Sequence, residues 1–157
     1  MADVFLGLGA NLGDRGGALR SAVADLAQLP GMRLRAVSTA RRTRPVGGPP
    51  QPDFVNAAAR FECALTPRRL LNALQAIEWR HGRIRGVPNG PRTLDLDLLL
   101  YGQGALSAPG LELPHPRLNE RLFVVEPLAE LAPRLPLAGG VTAATRARAL
   151  APASALA

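Results

Sequence analysis

The stretch Gly90–Gly102 reads GPRTLDLDLLLYG, and from Thr93 onward it has the pattern of a buried β-strand into which Asp95 and Asp97 are set. Residues i and i+2 of a strand point to the same face, so the two carboxylates project side by side, about 6.6 Å apart along the backbone. The leucines that alternate with them take the other face. The stretch therefore predicts a strand with one face toward the core and one acidic face.

The acidic pair allows two interpretations. Two carboxylates that converge to about 5 Å repel each other by roughly 3 kcal/mol at an effective dielectric constant near 20, and a divalent cation between them would turn this repulsion into binding. Oxygen ligands on a rigid strand suit Mg²⁺, which keeps several waters and takes further ligands from phosphates. A D-x-D pair alone is explained more simply as a solvated strand face, so the flanking sequence has to decide.

Hydrophobic spacing and turn residues predict the other elements outward from this strand. They are, in chain order, a strand at Val4–Ala10, a helix capped by Asp14, strands at Met32–Thr39 and Phe54–Leu65, a helix from Thr66 to Gly82, the strand at Leu94–Tyr101, and a last helix that starts near Asn119 and is interrupted by Pro127. This order predicts an α+β, ferredoxin-like β-α-β-β-α-β sandwich, an antiparallel sheet with helices on one face. The fold alone decides no function, because it hosts many.

The composition is that of one folded domain. The 157 residues are 47% hydrophobic, which suits a single domain over 1–157 with a sizeable core. Residues 138–157 are rich in Ala, Gly and Pro and are expected to form a partly loose C-terminal tail. The net charge of +7 favours anionic partners such as nucleotides or phosphorylated metabolites. All 19 basic residues are arginine, which indicates compositional drift, so the placement of arginines is more informative than the total charge.

Other features of the composition argue against secretion and membrane insertion. Cys63 is the single cysteine, so no internal disulfide framework can form, and we expect it to be a small buried residue. The first residues include an acid at Asp3 and no basic region, unlike a secretory signal peptide. No apolar run reaches the roughly 18 residues that a membrane helix needs. We therefore expect a cytoplasmic protein that does not bind membranes.

Two long loops, Arg44–Asp53 and Gly82–Thr93, interrupt the regular elements. Such loops are often functional lids, although tolerated surface slack is the alternative. The second loop brings Arg83, Arg85 and Arg92 close in sequence to the D-x-D strand. Guanidinium groups and Mg²⁺-binding carboxylates together suit a polyphosphate, because they share the charge of a transferred phosphoryl group. The alternative is that these arginines are solvated loop charges.

The glycine-rich turn GLGANLG at Gly7–Gly13 follows a strand and precedes a helix, like a dinucleotide-binding loop. Its spacing is G-x-G-x-x-x-G, however, and no parallel β-α-β unit with a ribose-binding acid follows. A phosphate-binding loop of the G-x-x-x-x-G-K-[ST] type is impossible without lysine. We interpret this turn as a matter of backbone geometry.

Four stretches together resemble one enzyme family. They are FLGLGANLGDR, TRPVG followed by QPDFVNAA, EWRHGRIR followed by GPRTLDLDLLLYG, and LPHPRLNERLFVVEPLAELAP, in this order between Val4 and Leu135. These stretches are similar to 6-hydroxymethyl-7,8-dihydropterin pyrophosphokinases of folate biosynthesis. The resemblance implies a ferredoxin-like core, transfer of the β,γ-diphosphate of ATP to the pterin hydroxymethyl oxygen with release of AMP, and the use of Mg²⁺.

The resemblance also implies roles for individual residues. Asp95 and Asp97 match the ligands of two Mg²⁺ ions, and Arg83 and Arg92 match catalytic loop arginines on the triphosphate. The positions that match ATP contacts are Gln75, Glu78, Arg83, Arg85, Arg92, His115 and Arg121. The positions that match pterin contacts are Thr43, Val46, Phe54, Asn56, Asp95 and Phe123, where the amide reads the pterin edge and the two aromatic rings enclose it.

Several of these residues also have an ordinary structural interpretation. Phe54 and Phe123 could be core residues, and His115 could belong to a turn. Glu78 could be a surface acid paired with an arginine, and Gln75 an exposed amide.

The sequence departs from the family pattern at three positions. Asn89 stands where many members carry an aromatic residue, Phe54 replaces a commoner tyrosine, and Pro116 follows His115 where an aromatic residue is frequent. We expect a weaker seal over the pterin, or a seal supplied by another side chain.

Two other classes of protein fit parts of the sequence. A basic ferredoxin-like domain could bind RNA, but aromatic residues make up 4% of the chain and no aromatic run is available to stack bases. A nucleotide-sugar transferase could hold Mg²⁺ with D-x-D, but the short chain lacks a nucleotide-binding α/β half. We therefore expect a monomeric enzyme that acts on ATP and a pterin with two Mg²⁺ ions, and that does not bind nucleic acid.

Overall fold

The computed structural model describes residues 1–45, 47–82 and 93–151, where the predicted order of the main elements is confirmed. Short strands, a 3₁₀ turn and a last helix add to that order. The elements are β1 (Ala2–Ala10), α1 (Arg15–Ala27), β2 (Met32–Val37), β3 (Arg41–Thr43), β4 (Phe54–Cys63), α2 (Pro67–Arg80), β5 (Asp95–Tyr101), β6 (Leu106–Ala108), β7 (Leu111–Leu113), the 3₁₀ turn (Leu118–Glu120), α3 (Leu122–Leu131) and α4 (Ala143–Leu150).

The main sheet has the strand order of a ferredoxin-like sandwich. β2, β4, β1 and β5 lie side by side in that order, and each neighbouring pair is antiparallel. The predicted fold class is thus confirmed. β3 pairs with the first residues of β4, with Thr43 opposite Phe54 and Arg41 opposite Asn56. This added strand extends the sheet at one end and, as shown below, contributes to the functional site.

The first two helices begin where their capping residues predict. The Asp14 side chain accepts a hydrogen bond at 3.0 Å from the backbone N–H three residues later. Thr66 caps α2 in the same way at 3.3 Å, ahead of Pro67 in the first turn. Gly82 follows α2 with φ at 78°, a conformation in which glycine has no Cβ penalty. No helix in the described part of the chain has the length and apolarity needed to cross a membrane.

One face of the sheet is closed by α1 and α2. Alternate residues of β1, β4 and β5 pack there on the apolar stripes of the two helices. Among the largest fully buried side chains of this cluster are Leu6, Leu26, Leu70, Leu74, Ile77 and Leu94. The leucines that alternate with the two aspartates belong to it, as the period-two pattern predicts. This face is the main core of the domain.

The other face is covered in part by α3 and α4, which the prediction of helices on one face did not include. Phe5 and Leu99 from the sheet pack there with Val125 and Leu128 of α3 and with Ala143 of α4. Because this second apolar cluster takes only one end of the face, the rest of that face is left for other contacts.

The C-terminal region differs from expectation in two respects. Pro127 lies inside α3 and does not interrupt it. Its missing N–H removes a single helix hydrogen bond, to the carbonyl of Phe123, and the burial of the proline side chain offsets this loss. Within the stretch expected to be loose, α4 is capped by Thr142 and packs through the buried Ala143. Residues 152–157 lie outside the described part of the chain.

Candidate active site

The uncovered part of the second sheet face forms the floor of a pocket. Gly7 and Gly9 of the central strand β1 lie in this floor. Gly9 is paired with Asn56 of β4 on one side and with Asp95 of β5 on the other, and Gly7 is likewise paired with Asp97. A Cβ atom on Gly9 would lie 2.6 Å from Oδ1 of Asn56. Glycine is therefore required there for the neighbouring amide to keep its place.

Two walls rise from this floor. The end of β3 and the start of β4 supply one wall, with Thr43, Arg44 and Phe54. The start of α3 supplies the other, with Arg121 and Phe123. Every predicted pterin contact that falls within the described residues lines this pocket, so the structure brings together residues that are up to 80 positions apart, from Thr43 to Phe123.

Asp95 and Asp97 project from β5 into the pocket and are half-buried. They are the only carboxylates among the described residues that line it. Within residues 1–45, 47–82 and 93–151, no group of three or more His, Cys, Asp or Glu side chains could hold a metal ion. A cation at this pair would therefore draw its remaining ligands from water or from a substrate, which is the usual coordination of Mg²⁺.

Asn56 is buried at the junction of the floor and the first wall. Its Nδ2 donates a hydrogen bond to Oγ1 of Thr43 at 2.5 Å. Its Oδ1 lies on the side of Gly9. An amide that is oriented in this way presents a donor and an acceptor in fixed positions and can read the edge of a heterocycle.

Phe54 and Phe123 lie on opposite walls and are half-buried. Neither ring belongs to the two apolar clusters, so their interpretation as core residues is not supported. The guanidinium carbon of Arg121 lies 5.4 Å from the centre of the Phe123 ring, within the range of a cation–π contact. The pocket therefore offers two aromatic rings, one of them beside a cation.

His115 is half-buried near this pocket, where its backbone N–H donates to the carbonyl of Leu99 at 2.9 Å. Burial lowers the pKa of His115, the charge of Arg121 lowers it further, and Asp95 acts in the opposite direction. Burial and the neighbouring cation therefore favour the neutral ring. Its Nδ1 accepts a hydrogen bond from the Arg117 N–H at 3.2 Å, which leaves the proton on Nε2 as a donor.

Gln75 and Glu78 occupy different environments on α2. Gln75 is exposed, whereas Glu78 is 3% exposed, which excludes its interpretation as a surface acid. Oε2 of Glu78 accepts a hydrogen bond from the N–H of Leu96 at 2.8 Å. β5 is an edge strand of the main sheet, so this carboxylate takes the place of a neighbouring strand at the residue between the two aspartates. Neither Gln75 nor Glu78 is among the described residues that line the pocket.

The remaining predicted site residues lie outside the described part of the chain. They are Val46, Arg83, Arg85 and Arg92, together with the departure from the family pattern at Asn89. Their roles remain predictions.

The role of the two floor glycines was missed by the sequence interpretation, which explained GLGANLG by backbone geometry alone. Gly7 and Gly9 lie inside β1, as the predicted strand at Val4–Ala10 implies, and Gly13, with φ at 64°, is the glycine that belongs to the turn. The signal that could have found them is their i, i+2 spacing, which puts both on one face of a strand, as in the D-x-D pair. Arg44 was also missed, since nothing in its local sequence distinguishes it from the arginines beside it.

Asn11 is a further residue that the sequence interpretation did not single out. It is 2% exposed, and its Nδ2 donates to Oε1 of Gln51 and to the carbonyl of Pro52, both at 2.9 Å. Arg15 donates to the Asp53 carbonyl at 2.8 Å. The start of α1 thus holds the end of the first long loop directly before the first wall of the pocket.

Comparisons of the sequence with known proteins identify one enzyme family. The sequence pattern of the family described as 7,8-dihydro-6-hydroxymethylpterin-pyrophosphokinase matches residues 5–133. A 2-amino-4-hydroxy-6-hydroxymethyldihydropteridine pyrophosphokinase from Pseudomonas aeruginosa is 45% identical over 137 residues, which cover 87% of this chain and 85% of that protein. The protein of the same name from Methylorubrum extorquens is 44% identical over 139 residues, 88% of each chain. A folic acid synthesis protein of Schizosaccharomyces pombe is 37% identical over 83% of this chain and 18% of its own length.

Proposed function

The chain belongs to the 7,8-dihydro-6-hydroxymethylpterin-pyrophosphokinase family, and from this premise we propose that it transfers the β,γ-diphosphate of ATP to 6-hydroxymethyl-7,8-dihydropterin in folate biosynthesis. In this reaction the hydroxymethyl oxygen forms a bond to the β-phosphorus. The bond from that phosphorus to the oxygen bridging the α- and β-phosphates breaks, and AMP leaves with that oxygen. The proton of the attacking hydroxyl is released.

The observation that carries the proposal is the composition of the single pocket described above. The pocket combines an oriented amide, two aromatic rings and a pair of carboxylates. A flat heterocycle that carries a hydroxymethyl group needs the first two, and a polyphosphate with its cation needs the third.

The first wall and the start of α3 would hold the pterin. Phe54 and Phe123 would stack on its two faces, and offset stacking of this kind is worth about 0.5–1.5 kcal/mol per pair beyond burial. Asn56, which is oriented by Thr43, would hydrogen-bond the pterin edge. Val46 would add a contact, as the family resemblance implies.

Asp95 and Asp97 fit Mg²⁺, since they supply oxygen ligands from one strand face and both line the pocket. We propose that two Mg²⁺ ions bind there together with ATP, where they would neutralise the phosphate oxygens. The protein itself holds both carboxylates in register, and the hydrogen bond that the Leu96 N–H donates to Glu78 supports this role. Positioning of this kind accounts for much of the acceleration of phosphoryl transfer.

The nucleotide side of the site rests mainly on the family resemblance. Arg83 and Arg92 would contact the transferring phosphates. Arg121 lines the pocket, and its charge contributes to the lowered pKa of His115. A cation and an imidazole N–H donor would therefore be available to the phosphates. We also retain ATP contacts for Gln75, Glu78 and Arg85.

Thermal melting with defined ligands tests the proposal. The parent protein is melted with Mg²⁺ and a non-hydrolysable ATP analogue, with and without 6-hydroxymethyl-7,8-dihydropterin, and separately with single-stranded RNA. Ligands that bind the folded state raise the melting temperature. We expect the nucleotide and the pterin together to give the largest increase, and EDTA to abolish it. A larger increase with RNA than with the nucleotide and pterin would refute the proposal.

The alternative of an RNA-binding module receives no support from the family match. The monomeric state, the cytoplasmic location and the absence of nucleic-acid partners remain predictions. Gel filtration and a binding titration with RNA check the first and the last of them.

A further inference from the structure

A ladder of polar contacts ties β3 and the residues before it to α3. The backbone N–H of Thr39 donates to Oε2 of Glu130 at 2.8 Å, and its hydroxyl donates to Oε1 at 2.7 Å. Arg41 donates from Nη2 to Oε1 of Glu130 at 2.6 Å, and its Nε lies 3.0 Å from Oε1 of Glu126. We call Thr39, Arg41, Glu126 and Glu130 the ladder.

The residue spacing of the ladder, continued along β3 and along α3, leads to residues of the pocket. On the strand side its members are spaced by two residues, and the next residue in that spacing is Thr43. On the helix side its glutamates are spaced by four residues, and Phe123 lies three residues before the first of them, which is the same face of a helix. Thr43 and Phe123 both line the pocket, on opposite walls. The open pocket thus begins where the ladder ends.

We propose that Arg41, Glu126 and Glu130 are positioning residues that set the separation of the two pocket walls and thereby the affinity for the pterin. This inference rests on the proposed function, because it assigns the slot between the walls to the pterin. None of the three side chains is among the described residues that line the pocket, so each would act through the wall residue next to it.

Two observations favour a positioning role over an incidental surface contact. The ladder is a connected network, since Glu130 accepts from both Thr39 and Arg41 and Arg41 also contacts Glu126, whereas most isolated surface ion pairs contribute little. The wall that it holds is also weakly anchored, because β3 has three residues and pairs with β4 on one side. A small displacement of a group that orients a substrate can lower the rate about a hundredfold.

The test is a double-mutant cycle on Arg41→Ala and Glu130→Ala, with pterin affinity measured in Mg²⁺ and a non-hydrolysable ATP analogue. We expect each single variant to weaken pterin binding about three- to thirtyfold, which lies within the range of coupling seen between residues in one network. The pterin affinity of the double variant should lie within about twofold of that of the weaker-binding single variant, because either change alone already opens the ladder. Affinity for the nucleotide analogue alone should change less than twofold.

Two further variants make the result specific. Arg41→Lys keeps the charge but has one nitrogen in place of the two that contact Glu126 and Glu130, so it should restore only part of the pterin affinity that Arg41→Ala loses. Arg35→Ala, which removes an arginine paired with Glu62 at 3.2 Å at the far end of the same sheet, should leave pterin affinity unchanged. If an alanine variant does not fold, the cycle is measured with Glu126→Gln and Glu130→Gln instead, because these changes keep the side-chain shape.

The outcomes separate this inference from the proposed function. A parent protein that binds no pterin refutes the function and the inference with it. A parent that binds pterin, with folded ladder variants that bind it equally well, refutes the inference alone. Equal losses of pterin and nucleotide affinity, or single losses that multiply in the double variant, would also refute it, because they indicate general destabilisation or independent effects.

Discussion

The two faces of the main sheet are made by alternate residues of the same strands, yet they have opposite character. On β1, Leu6 and Leu8 point toward α1 and α2 and are almost fully buried, whereas Gly7 and Gly9 point toward the pocket. On β5, leucines alternate with aspartates in the same way. One face is filled with apolar side chains, and the other is left partly empty and polar.

The open face is the less stable arrangement for the chain by itself. Glycine inside a strand is less stable than alanine by about 0.5–1 kcal/mol, and adjacent carboxylates repel. A buried leucine stabilises the fold by roughly 1.5–3 kcal/mol. The packed face therefore offsets the unfavourable choices opposite it, and residues that lower stability in this way are typical of a functional face.

The largest expected effect is that of Asp97→Asn on activity. The change removes one charge at nearly constant shape, so turnover with Mg²⁺ and ATP should fall at least about a hundredfold, because the carboxylates hold the cations that neutralise the phosphates. The free energy of unfolding without ligand should change by less than about 1.5 kcal/mol, since the side chain faces the pocket. Turnover assays and urea unfolding measure both quantities. A variant that loses stability but keeps most of its turnover would make these carboxylates structural.

A substitution on the packed face should lower stability strongly and change pterin affinity little. Leu6→Ala removes a fully buried side chain and should lower the free energy of unfolding by about 2–5 kcal/mol. The pterin affinity of the folded protein should stay within about threefold of the parent, because the lost atoms lie on the far side of the sheet. Urea unfolding and pterin titration at a temperature where the variant is folded check this. A loss of affinity larger than the loss of stability would show that the faces are coupled.

The floor of the pocket distinguishes two glycines on the same strand. A Cβ at Gly9 would meet Oδ1 of Asn56 at 2.6 Å, whereas one at Gly7 would make ordinary contact with Leu99 at 3.5 Å. Gly9→Ala should therefore displace the amide and weaken pterin binding about fivefold, equivalent to one lost hydrogen bond of about 1 kcal/mol. Gly7→Ala is the matched comparison and should have a smaller effect. Equal effects would mean that the amide does not read the pterin.

Much of the fold could be predicted because its signals are local. The sequence correctly predicted the helix caps at Asp14 and Thr66 and the alternating leucines of β5, since each depends on neighbours within a few residues. The second covered face was not foreseen. α4 lies in a stretch whose Ala-, Gly- and Pro-rich composition indicates looseness, and its order comes from packing on α3 that no local pattern shows.

The site was predictable only where a motif could be recognised. The aspartate pair and the aromatic residues came from motif resemblance, and the structure places them around one pocket. Gly9 and Arg44 were missed, because their importance depends on what lies across the sheet or the pocket from them. Glu78 was matched to a nucleotide contact, but its bond to a strand edge depends on how α2 lies beside β5, which sequence spacing cannot show.

The smallest expected effect concerns acid stability and comes from the ladder between the two walls. Hydrogen bonds from the Thr39 hydroxyl and backbone, with smaller contributions from Arg41, lower the pKa of Glu130 below its ordinary value. A carboxyl whose pKa is lower in the folded state stabilises the protein above its unfolded pKa of about 4.3, and this stabilisation is lost as the pH falls through the folded pKa.

Glu130→Gln has no carboxyl at this position, so its free energy of unfolding should fall less than that of the parent between pH 5 and the acid limit of folding. Thr39→Val removes only the hydroxyl donor, so its pH dependence should lie between those of the parent and Glu130→Gln. The difference should be small, because 32% of the Glu130 side chain is exposed and solvent screens its interactions. Urea unfolding of the three proteins in steps of pH measures it, and parallel curves would mean that the ladder contributes nothing to acid stability.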